Sequence, residues 1–147
     1  MKTLVLFGST GSIGRQTLEV LDAFPGEFKV LALTAYTQET LLQEQAQKHE
    51  AKAFVAPSHE QIATLVQQAD VVLNALPGFV GLDVSLATVQ AGKTLLSANK
   101  ESLAIAGRWL RKLAEKTGSK IYPLDSEASA LWQLMDEFGP EALSSIT

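Results

Sequence analysis

The chain has 147 residues, enough for one compact domain with its own core and too few for a two-domain enzyme. Hydrophobic residues make up 46% and charged residues 19%, which excludes a disordered or low-complexity chain. A net charge of -4 with no basic block argues against a nucleic-acid partner, and the lack of cysteine excludes disulfides, zinc-thiolate sites and thiol nucleophiles.

The opening run from Lys2 to Phe7 meets a glycine-rich turn instead of a small-residue cleavage site, so it reads as a buried first strand and not as a secretion signal. No apolar stretch approaches the ~18 residues that span a bilayer, and a soluble, cytoplasmic protein with no membrane partner is expected. A helix from Ser12 to about Phe24 follows, with Ile13, Leu18, Val20 and Leu21 on its expected buried face, and Pro25-Gly26 ends it. Phe28 to Leu33 is a second strand, Gln38 to His49 a polar helix expected on the surface, and Lys52 to Ala56 a third strand. Ser58 and Gln61 have the spacing of a capping box and start a helix to about Gln68. Asp70 to Leu76 is a near-continuous apolar run, as expected of a central strand covered on both faces.

After the Pro77-Gly78 turn, Leu82 to Ala91 is helical with Gly92 at its C′ position, and Lys93 to Ser97 is a fifth strand. A long helix from Glu101 to Thr117 closes at Gly118, Lys120 to Leu124 is a sixth strand, and Ser126 to Phe138 is a last helix before Gly139-Pro140. Ser144-Ser-Ile-Thr147 reads as the opening of another strand with nothing after it, the ending expected of a truncated chain. His49 and His59 are expected to be solvated, and Trp109 and Trp132 to be packing residues. Strands alternating with helices predict a three-layer α/β/α domain over 1–147, a Rossmann-like doubly wound parallel sheet of order 3-2-1-4-5-6. The loops 8–14 and 74–78 then face one another across the crevice where the strand order reverses.

Gly8-Ser-Thr-Gly11-Ser-Ile-Gly14 lies directly between the first strand and the first helix, the context that a dinucleotide-binding fingerprint requires. The first glycine permits the tight turn, the second lets backbone amides approach a pyrophosphate, and the third lets the helix pack closely on the strand. The spacing is one residue longer than the commonest form. The window that separates NAD from NADP, at the end of the second strand, reads Thr34-Ala-Tyr36-Thr37-Gln38. It offers neither a carboxylate for a ribose 2′-hydroxyl nor a cation for a 2′-phosphate.

Three segments in order, Gly8 to Gly14, Ser97-Ala-Asn-Lys-Glu-Ser-Leu103 and Pro123-Leu-Asp-Ser-Glu127, with Asn74 to Gly81 as a weaker fourth, resemble the 1-deoxy-D-xylulose 5-phosphate reductoisomerase family over essentially the whole chain. The resemblance implies an NADPH-binding domain of an enzyme of the non-mevalonate isoprenoid pathway that also uses Mg²⁺ or Mn²⁺. It implies that Gly8, Thr10, Gly11, Ser12 and Ile13 hold the cofactor diphosphate, that Tyr36, Thr37 and Gln38 occupy the 2′-phosphate position, and that Asn99 and Glu101 contact the nicotinamide-ribose side. It places Lys100, Ser126 and Glu127 against a sugar-phosphate substrate and makes Asp125 and Glu127 metal ligands, in a full-length enzyme expected to be a homodimer.

Two positions depart from the family pattern: Tyr36-Thr37-Gln38 stands where the family has Gly-Lys/Arg-Asn, and Ala128 where it has His. The family's Ser-Gly-Gly segment, a later metal-binding glutamate and the substrate-closing loop are absent from this chain, so the chain by itself is expected to be inactive. Taken alone, Asp125-Ser126-Glu127 reads equally well as a helix N-cap with an acidic first turn. Lys100 alone reads as a solvated lysine, set apart only by its place at the carboxyl end of the fifth strand. A rival reading is a non-catalytic module that binds a dinucleotide.

Overall fold

The computed structural model describes residues 1–142 and Ser145, so the strand expected at 144–147 falls, Ser145 apart, outside the described residues. The elements in chain order are β1 (Lys2–Phe7), α1 (Ser12–Ala23), β2 (Phe28–Ala35), α2 (Glu39–Lys48), β3 (Lys52–Val55), α3 (His59–Gln68), β4 (Val71–Asn74), α4 (Gly81–Gln90), β5 (Thr94–Ser97), α5 (Lys100–Thr117), β6 (Ile121–Pro123) and α6 (Ser126–Phe138). A 3₁₀ turn over Gly78–Val80 leads into α4. The strands form one parallel sheet of order β3-β2-β1-β4-β5-β6, as the alternation of apolar runs predicts. No described helix is long and apolar enough to cross a membrane.

Side chains alternate across β1 and divide the core in two. Leu4 and Leu6 pack with Leu18 of α1 and with Leu42 and Ala46 of α2 on one face. Val5 and Phe7 pack with Ile62, Leu65 and Val66 of α3 and Val84 of α4 on the other. A third cluster, Val89, Leu95 and Leu110, holds α4 and α5 on β5. Both signals read at helix ends are present: Ser58 and Gln61 exchange capping-box hydrogen bonds at the start of α3, and Gly118 closes α5 in a left-handed conformation with φ +76°.

Several packing expectations need correction. Ile13 and Val20 do not lie in the core: α1 turns its Gly14 and Leu18 to the sheet, and Val20 is 57% exposed. The cause is the close seat that Gly14 gives the helix, which rotates Ile13 and Val20 toward the β4–β5 side of the sheet. There, with Phe28, Leu73, Leu96 and Leu124, they line an apolar groove left open by the described elements. The His49 imidazole is only 11% exposed, tucked 3.8 Å from Asp22 of α1. Trp109 is half exposed on α5, whereas Trp132 packs edge-to-face on Tyr122 with ring centroids 5.1 Å apart, the contact that seats α6 on β6.

β4 is shorter than the apolar run from 70 to 76 because both ends of that run turn to side-chain bonds. The Leu76 amide donates to Asn74 Oδ1 at 3.3 Å. At the other end, Asp70 Oδ2 accepts from the Thr3 amide and the Thr3 hydroxyl, each at 2.8 Å, and that hydroxyl accepts the Asp70 amide at 2.9 Å. These bonds clamp the amino ends of β1 and β4 together. They stabilise the ionised carboxyl and hold Asp70 below its ordinary value of 3.8. A lowered folded-state pKa gives stability that is complete above the unfolded value and disappears as pH falls through the folded one. Replacing Thr3 by Val is therefore expected to raise the Asp70 pKa toward 3.8 and to weaken the acid-limb dependence of stability, as followed by NMR titration and by denaturation between pH 2 and 5.

Candidate active site

The carboxyl ends of β1, β4, β5 and β6 open on one side of the sheet, and each contributes to the site. At β1, Gly8 and Gly14 are fixed by contact. A Cβ on Gly8 (φ +87°) would lie 2.8 Å from the Ala75 carbonyl oxygen, and one on Gly14 would lie 2.2 Å from the Gly8 carbonyl oxygen. Gly11 is different, since its Cβ would meet only the Gly8 carbonyl oxygen, at 3.4 Å. Packing within the chain explains the outer glycines but not the middle one, which stands at the helix N-cap with room for a Cβ.

α1 starts at this loop with Gly11 at its N-cap and no side chain capping it. The amides of Ser12, Ile13 and Gly14 therefore have no partner within the helix, and they carry the positive end of its dipole. Gly11, Ser12 and Ile13 are exposed, while Thr10 is buried beside them. The Gly8 and Ser9 amides are held away from the opening by the Thr34 carbonyl of β2, at 3.1 and 2.9 Å. Such an arrangement is an anion cradle built of backbone.

The loops after β4 and β5 are joined by two buried asparagines. Asn74 Nδ2 donates to the Gly81 carbonyl at 2.7 Å and to Ser85 Oγ at 2.9 Å. Asn99 Nδ2 donates to the carbonyls of Leu76 and Gly78, at 2.7 and 2.8 Å, and its Oδ1 caps α5 by accepting the Ser102 amide at 2.8 Å and the Ser102 hydroxyl. The Asn99 side chain is 1% exposed and its hydrogen-bonding positions are filled within the chain. It builds the wall of the cleft instead of projecting into it. Glu101 lies exposed in the first turn of α5, where its charge complements the helix dipole.

Beyond the ends of β5 and β6 the structure brings Lys100, Asp125, Ser126 and Glu127 together across 27 residues of chain. Lys100 Nζ lies 3.0 Å from Glu127 Oε2, which also accepts from Ser126 Oγ at 3.0 Å. Glu127's own amide, then Lys100 and Ser126, hold its carboxyl down to about 2, and the hydrogen bond to Glu127 in turn raises Lys100. Asp125 is the N-cap of α6, with Oδ2 accepting the Ala128 amide at 3.3 Å. The N-cap reading of this segment holds at Asp125, whose Oδ1 stays outside these bonds. No group of three or more His, Cys, Asp or Glu side chains is placed to hold a metal among the described residues. Two carboxylates suit a magnesium ion that completes its shell with water and substrate oxygens.

At the far end of the cleft Tyr36 is half exposed, and Thr37 and Gln38 are exposed. Burial, with the charge of Asp83 second, raises the Tyr36 phenol. His59, which is solvated as expected, lies 3.3 Å from Asp83. Sequence reasoning missed Asp83 here and Gln45 beneath the glycine loop, since each comes from a different crossover helix and no local spacing ties it to the site.

Fold and loop define a doubly wound domain of the dinucleotide-binding class. The family model of 1-deoxy-D-xylulose 5-phosphate reductoisomerase matches residues 4–69 and 58–107, and the chain belongs to that family. It is 43% identical to the reductoisomerase of Thermomicrobium roseum, covering 88% of this chain and 38% of that protein. Among solved structures, the Zymomonas mobilis reductoisomerase in complex with NADPH superposes with a TM-score of 0.83 at 30% identity, covering 90% of this chain and 41% of that one. A reductoisomerase in complex with magnesium gives 0.86 at 31% identity, with 90% and 39% covered. The chain spans about two-fifths of the length of the curated relatives it matches.

The glycines give a paired test. Gly14→Ala is expected to destabilise the domain by about 1–3 kcal/mol or more through overpacking against the Gly8 carbonyl. Gly11→Ala is expected to stay within about 1 kcal/mol of the parent while losing nucleotide affinity. Urea denaturation and calorimetric titration separate the two effects.

Proposed function

We propose that the chain is the NADPH-binding part of a cytoplasmic, homodimeric reductoisomerase that converts 1-deoxy-D-xylulose 5-phosphate to 2-C-methyl-D-erythritol 4-phosphate. The observation that carries this reading is the backbone cradle at the start of α1, in a chain whose relatives bear that name. The Thr10, Ser12 and Ile13 amides hold the diphosphate, and Gly11 lets it approach. Asn99 keeps the loop 76–78 and the start of α5 in place, so that the nicotinamide lies against a rigid wall beside Glu101. Bound NADPH supplies the hydride that reduces the rearranged sugar phosphate.

Lys100 and Ser126 orient that substrate at the mouth of the cleft. Asp125 and Glu127 supply the carboxylate oxygens that would hold a divalent cation, with the Lys100 ammonium balancing the charge of Glu127. Tyr36, Thr37 and Gln38 bring no cation to the 2′-phosphate, and Asp83 adds a negative charge nearby. That charge favours, as the second reading, a non-catalytic dinucleotide-binding module or a divergent reductoisomerase-like oxidoreductase, either with little preference between the two cofactors.

A missing charge-assisted contact amounts to roughly 1.5–3 kcal/mol, or about one to two decades of affinity. NADPH is therefore expected to bind this chain weakly, with less than a hundredfold preference over NADH by calorimetry. In an NADPH-oxidation assay with the ketose phosphate and Mn²⁺, the chain alone is expected to give no turnover. Asp125→Ala is expected to abolish what Mn²⁺ binding the chain has, measured by paramagnetic broadening. No nucleotide binding at all would overturn the assignment, and equal Mn²⁺ broadening in Asp125→Ala would remove Asp125 from it.

A further inference from the structure

One side chain from outside the glycine loop enters its base. The Ser9 hydroxyl, fully buried, donates to Gln45 Oε1 at 2.8 Å, and Gln45 Nε2 donates back to the Ser9 carbonyl at 3.1 Å. Since the Ser9 amide is already given to Thr34, every polar group of Ser9 has a partner. A trans peptide is planar, with its C=O and N–H pointing in opposite directions. Pinning the Ser9 carbonyl toward α2 therefore turns the Thr10 N–H to the side away from Gln45. Thr10 is 7% exposed, and its amide donates to no acceptor among the described residues. An amide with no partner within the chain is left to an acceptor from outside it.

We infer that Gln45 is a positioning residue for the cofactor diphosphate: it locks the Ser9–Thr10 peptide so that the Thr10 amide is presented to a phosphate oxygen together with the free amides of α1. The inference rests on the NADPH reading above. Gln45 makes this contact from the second turn of α2, and the helix is held to the sheet by Leu42 and Ala46 whether or not the glutamine is present. Without the two bonds the peptide rotates, and ordering it on binding opposes affinity.

The test is an NMR shift titration of this chain, which covers weak binding, with two probes. One is NADPH; the other is adenosine 2′-monophosphate, which shares the adenosine end and lacks the diphosphate. Gln45→Met is expected to weaken NADPH about tenfold or more and adenosine 2′-monophosphate less than about twofold, the ratio that a merely structural role would leave unchanged. Ser9→Ala is expected to weaken NADPH in the same direction, with the double variant no weaker than Gln45→Met alone, because the two residues act as one unit. If Gln45→Met does not fold, Ser9→Ala alone decides by the same ratio. NADPH affinity unchanged in the variants overturns the role of Gln45, and equal loss of both probes reduces it to a structural tie and overturns it as well. Failure of the unaltered chain to bind NADPH is a separate outcome, which overturns the nucleotide reading itself and this inference with it.

Discussion

Everything at the ligand end of this domain follows from how closely α1 approaches the carboxyl end of β1. With no side chain at Gly8 or Gly14, the turn folds onto the Ala75 backbone and the helix settles against the turn, at distances that a single Cβ would forbid. The first helical amides are thereby brought level with the loops that follow β4 and β5. The same approach sets the rotation of α1 about its axis, and so decides that Leu18 is buried while Ile13 and Val20 look outward. One steric constraint thus fixes both the polar cradle and the apolar groove behind it.

The opposite wall of the cleft is organised by hydrogen bonds. Asn74 and Asn99 satisfy the carbonyls of Leu76, Gly78 and Gly81, three backbone acceptors in a stretch that has no strand partner. Gly81 must lack a side chain for this to work, since its Cβ would lie 2.5 Å from Asn99 Nδ2. A buried polar network with every member satisfied is rigid, so the loops after β4 and β5 hold one geometry. The charged groups Lys100 and Glu127 stand outside this network, in solvent, where an ion pair contributes little to the fold.

Much of the architecture was legible in the sequence because the signals are local. Strand β1 and helix α6 occupy the residues that apolar period and punctuation indicate, and the capping box at Ser58 and the glycine at 118 mark their helix ends as chemistry requires. The glycine loop was legible for the same reason, and so was the gathering of Lys100 with Asp125 and Glu127, through a resemblance carried by two short segments. What escaped depends on rotation or on distance along the chain. The buried face of α1 was misjudged because periodicity ranks Ile13 and Val20 above a glycine, although the glycine is what lets the helix come close. His49 was misjudged because its neighbour, Asp22, belongs to another helix. Gln45 looked like one more polar residue of a surface helix, and its side chain is read correctly only once Ser9 lies beneath it.

The groove beside α1 also divides the sheet by how firmly it is held. β1 carries buried side chains on both faces, whereas β5 is sealed by Leu95 on the α4–α5 side and has only a partly buried Leu96 on the other. β6 is a three-residue edge strand, and α6, which rests on it through one aromatic pair, has no fully buried residue. Local opening follows the amount of apolar surface that must be exposed. Amide protons should therefore exchange in a gradient across the sheet, slowest in β1 and β4 and fastest at its edges, β3 and β6. The edge that carries Asp125 and Glu127 is then open to remodelling by whatever comes to lie against it.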